Sequence, residues 1–364
     1  MKHKVIWLAA VGLAVFTLVL VSRAVAVPGY TPTIPPGYSG QVVLHVDYGT
    51  TSDKVGVEWG GSRANDSDEG EYAEPASISN MRVVADRFYF IDATTDTIKQ
   101  FRSPGTLVWG TKAFDNLGYY AVAPDGRVYL IWGSRLDKLS CVDSQGTLLW
   151  TKDDALPRSK LKELGLDSVL VLMGIEWTAS GLSIKVSGSA EGEGKLHQFV
   201  VLMDRDGNAL KALPGQFVGA DGLIYTREPK RRLQDAVASP VTVADSAGRA
   251  VRELRPKFDA DSGTRLAGVS SIGRLLADPF GGFSVESLAR LSSPARITSK
   301  IETNAEEVLW RFDIQGNFRE QWRFASNKFS SRASPVVVGS DGSVYHLQFG
   351  ETGIDVTKYS KQAK

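Results

Sequence analysis

The chain of 364 residues contains a single cysteine, Cys141, so an intramolecular disulfide is excluded. It also lacks an excess of either charge, because 42 Lys and Arg residues stand against 41 Asp and Glu residues. Phosphate binding needs a surplus of basic residues on one face, so this balance predicts no nucleic-acid partner. Stability must come from apolar packing, and 43% hydrophobic residues are enough for a sizeable core.

Motifs for catalysis and metal binding are also missing. The chain has no G-x-S-x-G elbow, no P-loop and no H-E-x-x-H helix. Outside the first 26 residues the histidines are His45, His197 and His346, which fall in different predicted strands. Zinc needs three or four clustered ligands, so the sequence predicts no histidine-based metal centre and no cofactor. A nucleophile and a base can still converge from distant segments, which leaves catalysis open.

The N-terminal segment has the pattern of an export signal. Lys2 and Lys4 precede the apolar run 5–21, and small residues at 24–26 fit a signal-peptidase site. The run is long for a signal and barely long enough to span a bilayer. Residues 1–26 are therefore predicted to be either a cleaved signal peptide or an N-terminal transmembrane anchor.

Proline dominates the next segment, "VPGYTPTIPPGYSG" at residues 27–40. Proline favours extended, semi-rigid backbone. The segment is predicted to be a stalk between the membrane or export signal and the folded part of the chain.

A hairpin phrase recurs through the remaining sequence: an apolar lead, a turn with Asp-Gly or Gly character, and a second strand with alternating apolar residues. Such turns between alternating runs are a strong hairpin signal. The copies at 178 and 279 lack the full Asp-Gly pattern. The six copies span residues 83–92, 122–132, 178–186, 218–226, 279–287 and 338–348.

A second phrase alternates with the first. It consists of an aromatic or apolar residue, often followed by Asp, then two variable residues, Gly, and a strand that often carries Trp. Its five copies span residues 101–109, 142–150, 203–213, 244–254 and 312–322. Together the phrases predict four strands per unit at a period of about 40 to 65 residues, as in propeller blades. Trp109, Trp150 and Trp322 recur in register, which predicts packing between blades.

The predicted fold is an all-β, six-bladed propeller of four-stranded antiparallel blades over residues 41–361. The last unit lacks its fourth strand, and residues 41–48 alternate as a strand does. We expect this strand to pair with 354–361 and close the ring, which leaves only short protected edges.

Two stretches, "RFYFIDATTDTIKQFRSPGTLVW" and "RVYLIWGSRLDKLSCVDSQGTLLW", resemble NHL-type β-propeller repeats. The resemblance is good over residues 60–150 and fair over 312–361. The repeats resemble quinoprotein-like blades more distantly, because those blades space Asp and Gly one residue further apart than Asp143 and Gly146. The resemblance implies a propeller but no single activity, since this fold hosts scaffolds, ligand binders and lyases.

Weak candidates for ligand or partner contact come from aromatic and basic residues. Aromatic candidates between the repeats are Trp59, Trp132 and Trp177. The basic stretch "REPKRRL" is predicted to be a loop that either is simply solvated or contacts anionic polymers or lipid head groups. Its basic residues are Arg227, Lys230, Arg231 and Arg232.

Two acidic stretches place carboxylates at i and i+2 before glycine, as calcium loops do. Weak calcium candidates are Asp66, Asp68, Asp259 and Asp261. The loop that starts at Asp66 has Ser77 at its twelfth position, where bidentate Glu would be needed. Solvated acidic turns are the competing interpretation of both stretches.

The sequence favours an exported, non-catalytic propeller that binds or scaffolds a protein or cell-envelope polymer, as a monomer. Membrane contact is expected only through residues 5–21, if they are uncleaved. The alternative is an extracytoplasmic lyase or hydrolase at the central channel. It predicts that at least three His, Asp, Glu, Arg or Tyr residues converge there.

The N-terminal segment gives the first testable prediction, through mass spectrometry of the protein isolated from its native host. Cleavage after residues 24–26 would place the mature N-terminus at Val27. Full-length protein in the membrane fraction would establish the anchor instead. Soluble protein in the cytoplasm that keeps residues 1–26 would contradict both forms of the export hypothesis.

Overall fold

Six four-stranded antiparallel sheets form the blades of a propeller in the computed structural model. Within each blade the first strand lies at the channel and the fourth at the periphery. The structure describes residues 33–56, 59–61, 73–75, 78–178, 180–190, 192, 196–219, 221–227, 240–255, 274–278, 281–290, 305–325, 336–350 and 352–362. The predicted fold class is confirmed.

The first half of the chain forms three blades and a small separate hairpin. A first strand, β1 (Tyr38–Asp47), precedes the two-stranded pair β2 (Trp59–Gly61) and β3 (Ala73–Pro75). Blade 1 comprises β4 (Ile78–Val84), β5 (Arg87–Asp92), β6 (Thr97–Arg102) and β7 (Thr106–Gly110). Blade 2 comprises β8 (Tyr119–Val122), β9 (Val128–Trp132), β10 (Lys138–Val142) and β11 (Leu148–Lys152). After the short helix α1 (Arg158–Glu163), blade 3 comprises β12 (Leu166–Thr178), β13 (Gly181–Ala190), β14 (Leu196–Met203) and β15 (Ala209–Pro214).

The second half of the chain forms the other three blades. Blade 4 comprises β16 (Phe217–Val218), β17 (Ile224–Arg227), β18 (Val241–Ala244) and β19 (Ala250–Leu254). Blade 5 comprises β20 (Arg274–Ala277), β21 (Phe283–Arg290), β22 (Ala305–Phe312) and β23 (Phe318–Ala325). Blade 6 comprises β24 (Val336–Val338), β25 (Val344–Phe349), β26 (Gly353–Lys361) and, as its outermost strand, β1.

The Asp-Gly phrase forms the tight turn between the first and second strands of a blade. In blade 2, Asp125 Oδ1 accepts the backbone N–H of Arg127 at 3.2 Å, and Gly126 has φ +87°. The same aspartate contact recurs in the turns of blades 4 and 6. In blade 3, Thr178 Oγ1 takes this role and accepts the N–H of Ser180. A threonine hydroxyl can cap a turn as an aspartate does, so the hairpin forms without the Asp-Gly pattern.

The second phrase forms the turn between the third and fourth strands. Asp143 Oδ1 accepts the N–H groups of Gln145 and Thr147, each at 2.8 Å, and Gly146 between them has φ +81°. A positive φ is strained for any residue with a Cβ, which explains why the phrase needs glycine here. The same two contacts recur at the aspartates Asp204, Asp245 and Asp313.

These turn glycines also receive the outer strand of the preceding blade. A Cβ at Gly146 would lie 2.7 Å from Cε3 of Trp109, whose Nε1 donates to the Ser144 carbonyl at 2.8 Å. A Cβ at Gly207 would lie 2.5 Å from Cη2 of Trp150. Packing of these tryptophans between blades is confirmed.

Blade 5 contacts blade 6 through a third tryptophan from the outer strand. Trp322 is fully buried, and its ring meets Tyr359 edge to face at 5.7 Å between centroids. Aromatic contacts of this geometry contribute beyond their buried area. The predicted packing of Trp322 between blades is also confirmed.

The ring is closed by β1 and β26, which pair antiparallel from Tyr38 opposite Lys361 to Asp47 opposite Gly353. This strand includes most of the segment 41–48 that was expected to close the ring, and it begins three residues earlier. Leu44 and Val46 of β1 are buried, in a core cluster shared by blade 6 and blade 1. Burial of these alternate positions determines which face of β1 turns inward.

The predicted stalk lies partly against blade 5. Thr33 and Arg323 exchange two backbone hydrogen bonds of 3.0 Å, and Tyr38 meets Trp322 at 4.6 Å between ring centroids. Apolar contact with Trp322 holds this segment on the propeller. Residues 1–26 and 27–32 lie outside the described residues, so the signal or anchor and the rest of the stalk stay predictions. Within the described part, no helix is both long and apolar enough to cross a membrane.

The contact between Trp109 and Gly146 gives a prediction for stability. Gly146→Ala adds backbone strain and a clash with Trp109. Gly222→Ala, at φ +74°, adds the strain without such a clash, because no atom of the described residues beyond its chain neighbours lies within 4 Å of a Cβ there. We expect Gly146→Ala to reduce the free energy of unfolding by about 1–3 kcal/mol more than Gly222→Ala does. Urea unfolding of both variants measures the difference, and equal losses would contradict the contact.

Candidate functional site

The central channel contains a cavity of about 710 Å³. Its wall is formed by the first strand of every blade: β4, β8, β12, β16, β20 and β24. A volume of this size is typical of sites for small organic molecules. Apolar residues make up much of the wall, and Met173 on β12 is 43% exposed there.

One ion pair lies on the blade 3 side of the channel. Lys185 Nζ donates to Glu176 Oε1 at 2.7 Å, and both side chains line the cavity while keeping about a fifth of their surface exposed. They come from adjacent strands, β12 and β13, where the pleat brings their side chains to one face. Lys185 therefore provides the counter-charge for the carboxylate of Glu176.

A second carboxylate, Asp278, follows the first strand of blade 5 and is completely buried in the wall. Arg311 donates to it twice, from Nε at 2.8 Å and from Nη2 at 3.2 Å, a bidentate geometry. Arg311 Nη1 also donates to Glu320, which accepts a hydrogen bond from the Tyr38 hydroxyl at 3.4 Å. Burial lowers the pKa of Arg311, but the hydrogen bonds and charge of Asp278 raise it more.

Arg227 lies at the end of β17 and lines the channel with only 5% of its surface exposed. The basic stretch is predicted to be a loop, but β17 extends to Arg227, which pairs with Val241 of β18, and Gln216 binds both main-chain groups of Arg227. Arg227 N donates to Gln216 Oε1 at 3.2 Å, and Gln216 Nε2 donates to Arg227 O at 3.1 Å. Burial lowers the pKa of the Arg227 guanidinium. Lys230, Arg231 and Arg232 lie outside the described residues.

Arg82, on the first strand of blade 1, is a further cation in the channel wall. Its guanidinium lies 5.7 Å from the centre of the Tyr120 ring, and its Nη1 donates to the Met81 carbonyl at 3.1 Å. Cation–π placement of this kind orients the guanidinium over the ring.

Of the two aromatic candidates whose side chains the structure describes, Trp177 lines the channel and Trp132 does not. The Trp177 ring stacks on Tyr129 at 5.7 Å, and the guanidinium of Arg205 lies 5.9 Å from its centre. Trp132 instead packs within blade 2, where its Nε1 donates to Ser140 Oγ at 2.8 Å. The side chain of Trp59 lies outside the described residues.

The described histidines do not line the channel. His45 lies on β1, the outermost strand of blade 6, and its Nδ1 is 2.7 Å from Asp355 Oδ1. His197 is exposed on β14. His346 is buried against the Phe324 ring, 4.1 Å away, with the Glu307 carboxylate 3.4 Å from its Nε2.

No group of three or more His, Cys, Asp and Glu side chains forms a metal site within the described ranges. The calcium candidates Asp66, Asp68, Asp259 and Asp261 lie outside those ranges. Calcium binding by the two acidic stretches therefore stays a prediction.

Comparisons with known proteins bear on the fold alone. No protein-family model and no curated protein matches the chain. Among solved structures, hydrazine synthase from Kuenenia stuttgartiensis aligns at 12% identity and a TM-score of 0.44, over 77% of this chain and 76% of that one. A member of the DUF4221 family from Bacteroides vulgatus aligns at 8% identity and a TM-score of 0.47, over 90% and 99%. A luciferin-regenerating enzyme aligns at 9% identity and a TM-score of 0.43, over 79% and 92%. None of these similarities transfers an activity to this chain.

The burial of His346 predicts that stability falls in mild acid. Burial lowers the pKa of His346 to about 3, whereas a histidine in an unfolded chain titrates near 6.5. Between these values the unfolded chain binds more protons, so the free energy of unfolding decreases as pH falls below about 6.5, by at most about 1.4 kcal/mol per pH unit. Urea unfolding at pH 7 and pH 5 measures this loss.

A matched pair of variants assigns the effect to this residue. His346→Phe preserves an aromatic ring against Phe324 and should remove most of the loss between pH 7 and pH 5. His197→Phe, at an exposed position, should keep the wild-type loss. The same pH dependence in His346→Phe and the wild type would contradict the assignment.

Proposed function

We propose that this protein is an exported, non-catalytic β-propeller that binds its ligand in the central channel, in the cell envelope or outside the cell. The observation that carries the proposal is the state of the carboxylates in the channel wall. Glu176 is paired with Lys185, and Asp278 is held by two hydrogen bonds from Arg311. The wall is thus a pocket of fixed charges and apolar surface, suited to recognition.

A general base must be able to take a proton from the substrate, and a nucleophile needs an adjacent base. The two hydrogen bonds that Arg311 donates to Asp278 occupy carboxylate lone pairs that would otherwise receive a substrate proton. The pair of Glu176 and Lys185 has the same consequence. Because of these contacts, the carboxylates of Glu176 and Asp278 are better suited to hold fixed charges for ligand recognition than to transfer protons.

The second candidate function is an extracytoplasmic lyase or hydrolase at the same channel. One observation favours it: six described residues of the types expected for an enzyme line the same cavity. They are Arg82, Tyr119, Tyr120, Glu176, Arg227 and Asp278. The enzyme hypothesis requires at least three such residues, so this condition is met. Binding is preferred because Glu176 is paired with Lys185 and Asp278 with Arg311.

The export part of the proposal rests on the pattern of residues 1–26, and the propeller is assigned to the NHL type on the motifs of residues 60–150. In this proposal the ring is a rigid support, and its loops are available to a protein or a cell-envelope polymer. Loops on rigid scaffolds are common recognition surfaces. The protein acts as a monomer and uses no cofactor.

The fate of a bound compound separates the two candidate functions. Compounds from a small-molecule library that raise the melting temperature of the purified protein are ligands by mass action. Each is then incubated with the protein and analysed by mass spectrometry. Recovery of unchanged compound supports a binding protein. Conversion by the wild type that is lost in both Glu176→Gln and Asp278→Asn would establish the enzyme instead.

A further inference from the structure

We infer that the ligand of the central channel is a largely apolar molecule with a neutral hydroxyl group, and that Ser284 binds this hydroxyl. The inference rests on the proposed function, because it gives the chemical class of ligand for the same channel. It depends on three properties of the wall at blade 5: a buried hydroxyl without a hydrogen bond, charged neighbours that are bound to one another, and the apolar surface around them.

Ser284, on the second strand of blade 5, lines the cavity with 1% of its surface exposed. Among the described residues its Oγ has no hydrogen-bond partner. A buried hydroxyl without a partner is costly and therefore uncommon in native proteins. The other buried serines of the described part each have a side-chain hydrogen bond; they are Ser140, Ser183, Ser189 and Ser343. Ser284 is thus a polar group that a ligand in the cavity can satisfy.

The charged groups beside Ser284 in blade 5 are bound to one another. Arg311 lies directly opposite Ser284 in the pairing of β21 with β22, so both side chains are on one face of the sheet. The guanidinium donates from Nε and Nη2 to Asp278 and from Nη1 to Glu320. These bonds hold it on two carboxylates, which explains why it makes no hydrogen bond to the serine. This part of the wall therefore offers a ligand a neutral hydroxyl.

Apolar side chains line the cavity around this hydroxyl. Leu276 lies directly opposite Ser284 in the pairing of β20 with β21. The cavity is also lined by Leu309 of β22 and by Val336 and Val338 of β24. Because Leu276 is only half-buried, we expect a change of its rotamer to give the ligand hydroxyl access to Ser284. Burial of apolar ligand surface against these side chains is favourable, so the body of the ligand is apolar.

A hydroxyl group is the ligand group that matches a serine in this position. Each hydroxyl carries one donor and two acceptor lone pairs, so either can donate to the other. A charged ligand group would be moved from water to a place among apolar side chains, where it needs an opposite charge. The charge of Arg311 is already shared by Asp278 and Glu320. A neutral hydroxyl on an apolar body therefore fits this end of the channel.

The stability of the ligand-free protein gives the first test. Ser284→Ala removes a hydroxyl that has no bond within the fold, so its urea midpoint should equal or exceed that of the wild type. Ser140→Ala removes a buried hydroxyl that is bonded to Trp132 and Thr151, so its midpoint should fall. A midpoint of Ser284→Ala below that of the wild type would mean that the hydroxyl is already satisfied, and would overturn the inference.

Two probes that differ in one group test the class of ligand. They are 2-naphthol, which carries a hydroxyl, and 2-methylnaphthalene, in which a methyl group replaces it. Equilibrium dialysis gives the Kd of each. In Ser284→Ala we expect the Kd of the naphthol to rise about fivefold or more relative to that of the methyl compound, because only the naphthol bonds to Ser284. Ser140→Ala should keep the wild-type ratio of the two Kd values, and an unchanged ratio in Ser284→Ala would contradict the inference.

A further variant of the wall distinguishes the inference from the proposed function. Met173→Trp adds a large side chain to the cavity at an exposed position, and should weaken the binding of both probes. If it does so and Ser284→Ala leaves the ratio unchanged, the channel binds ligands and only the role of Ser284 is wrong. If neither probe binds, or if neither variant weakens binding, the proposed function fails with the inference.

Discussion

The propeller depends on one repeated contact, in which the outer strand of a blade packs on the last turn of the next blade. The aspartate of that turn binds two N–H groups and holds a glycine at positive φ, as Asp143 does around Gly146. The missing Cβ leaves room for an aromatic ring, as for Trp109 on Gly146 and Trp150 on Gly207. One local hydrogen-bonding pattern thus creates both the hairpin and the surface that receives the neighbouring blade.

Much of the fold could be predicted from the sequence because its information is local. Asp-Gly turns and the phrase around Asp143 each form a hairpin with contacts spanning four residues or fewer, so their recurrence revealed the blades. Blade 3 was less visible, since Thr178 replaces the aspartate and β12 extends over 13 residues. The pair β2 and β3 was not predicted, because its strands have only three residues each.

The candidate site was harder to predict, because it is assembled from strands that are distant in the chain. Arg227 adjoins a run of basic residues, and such runs are usually solvated loops. Only the tertiary structure shows that Gln216 holds it in a buried strand. Trp177 was a candidate from the sequence, but nothing in its neighbourhood distinguishes it from Trp132, which packs within a blade. The pairing of Asp278 with Arg311 joins residues 33 positions apart and has no local pattern.

The closing strand determines how the ring responds to mechanical force. Because Tyr38 lies opposite Lys361, the two ends of the propeller leave side by side, and a pull that separates them would open the β1–β26 pairs one at a time. The pair of Tyr38 and Lys361 would carry the load first, and contacts with blade 5 reinforce this end of β1. There, Tyr38 bonds to Glu320, and Thr33 is paired with Arg323. Tension at this end is thus shared with the blade that supplies Asp278 to the channel, so the channel wall is mechanically connected to the point where the ring opens.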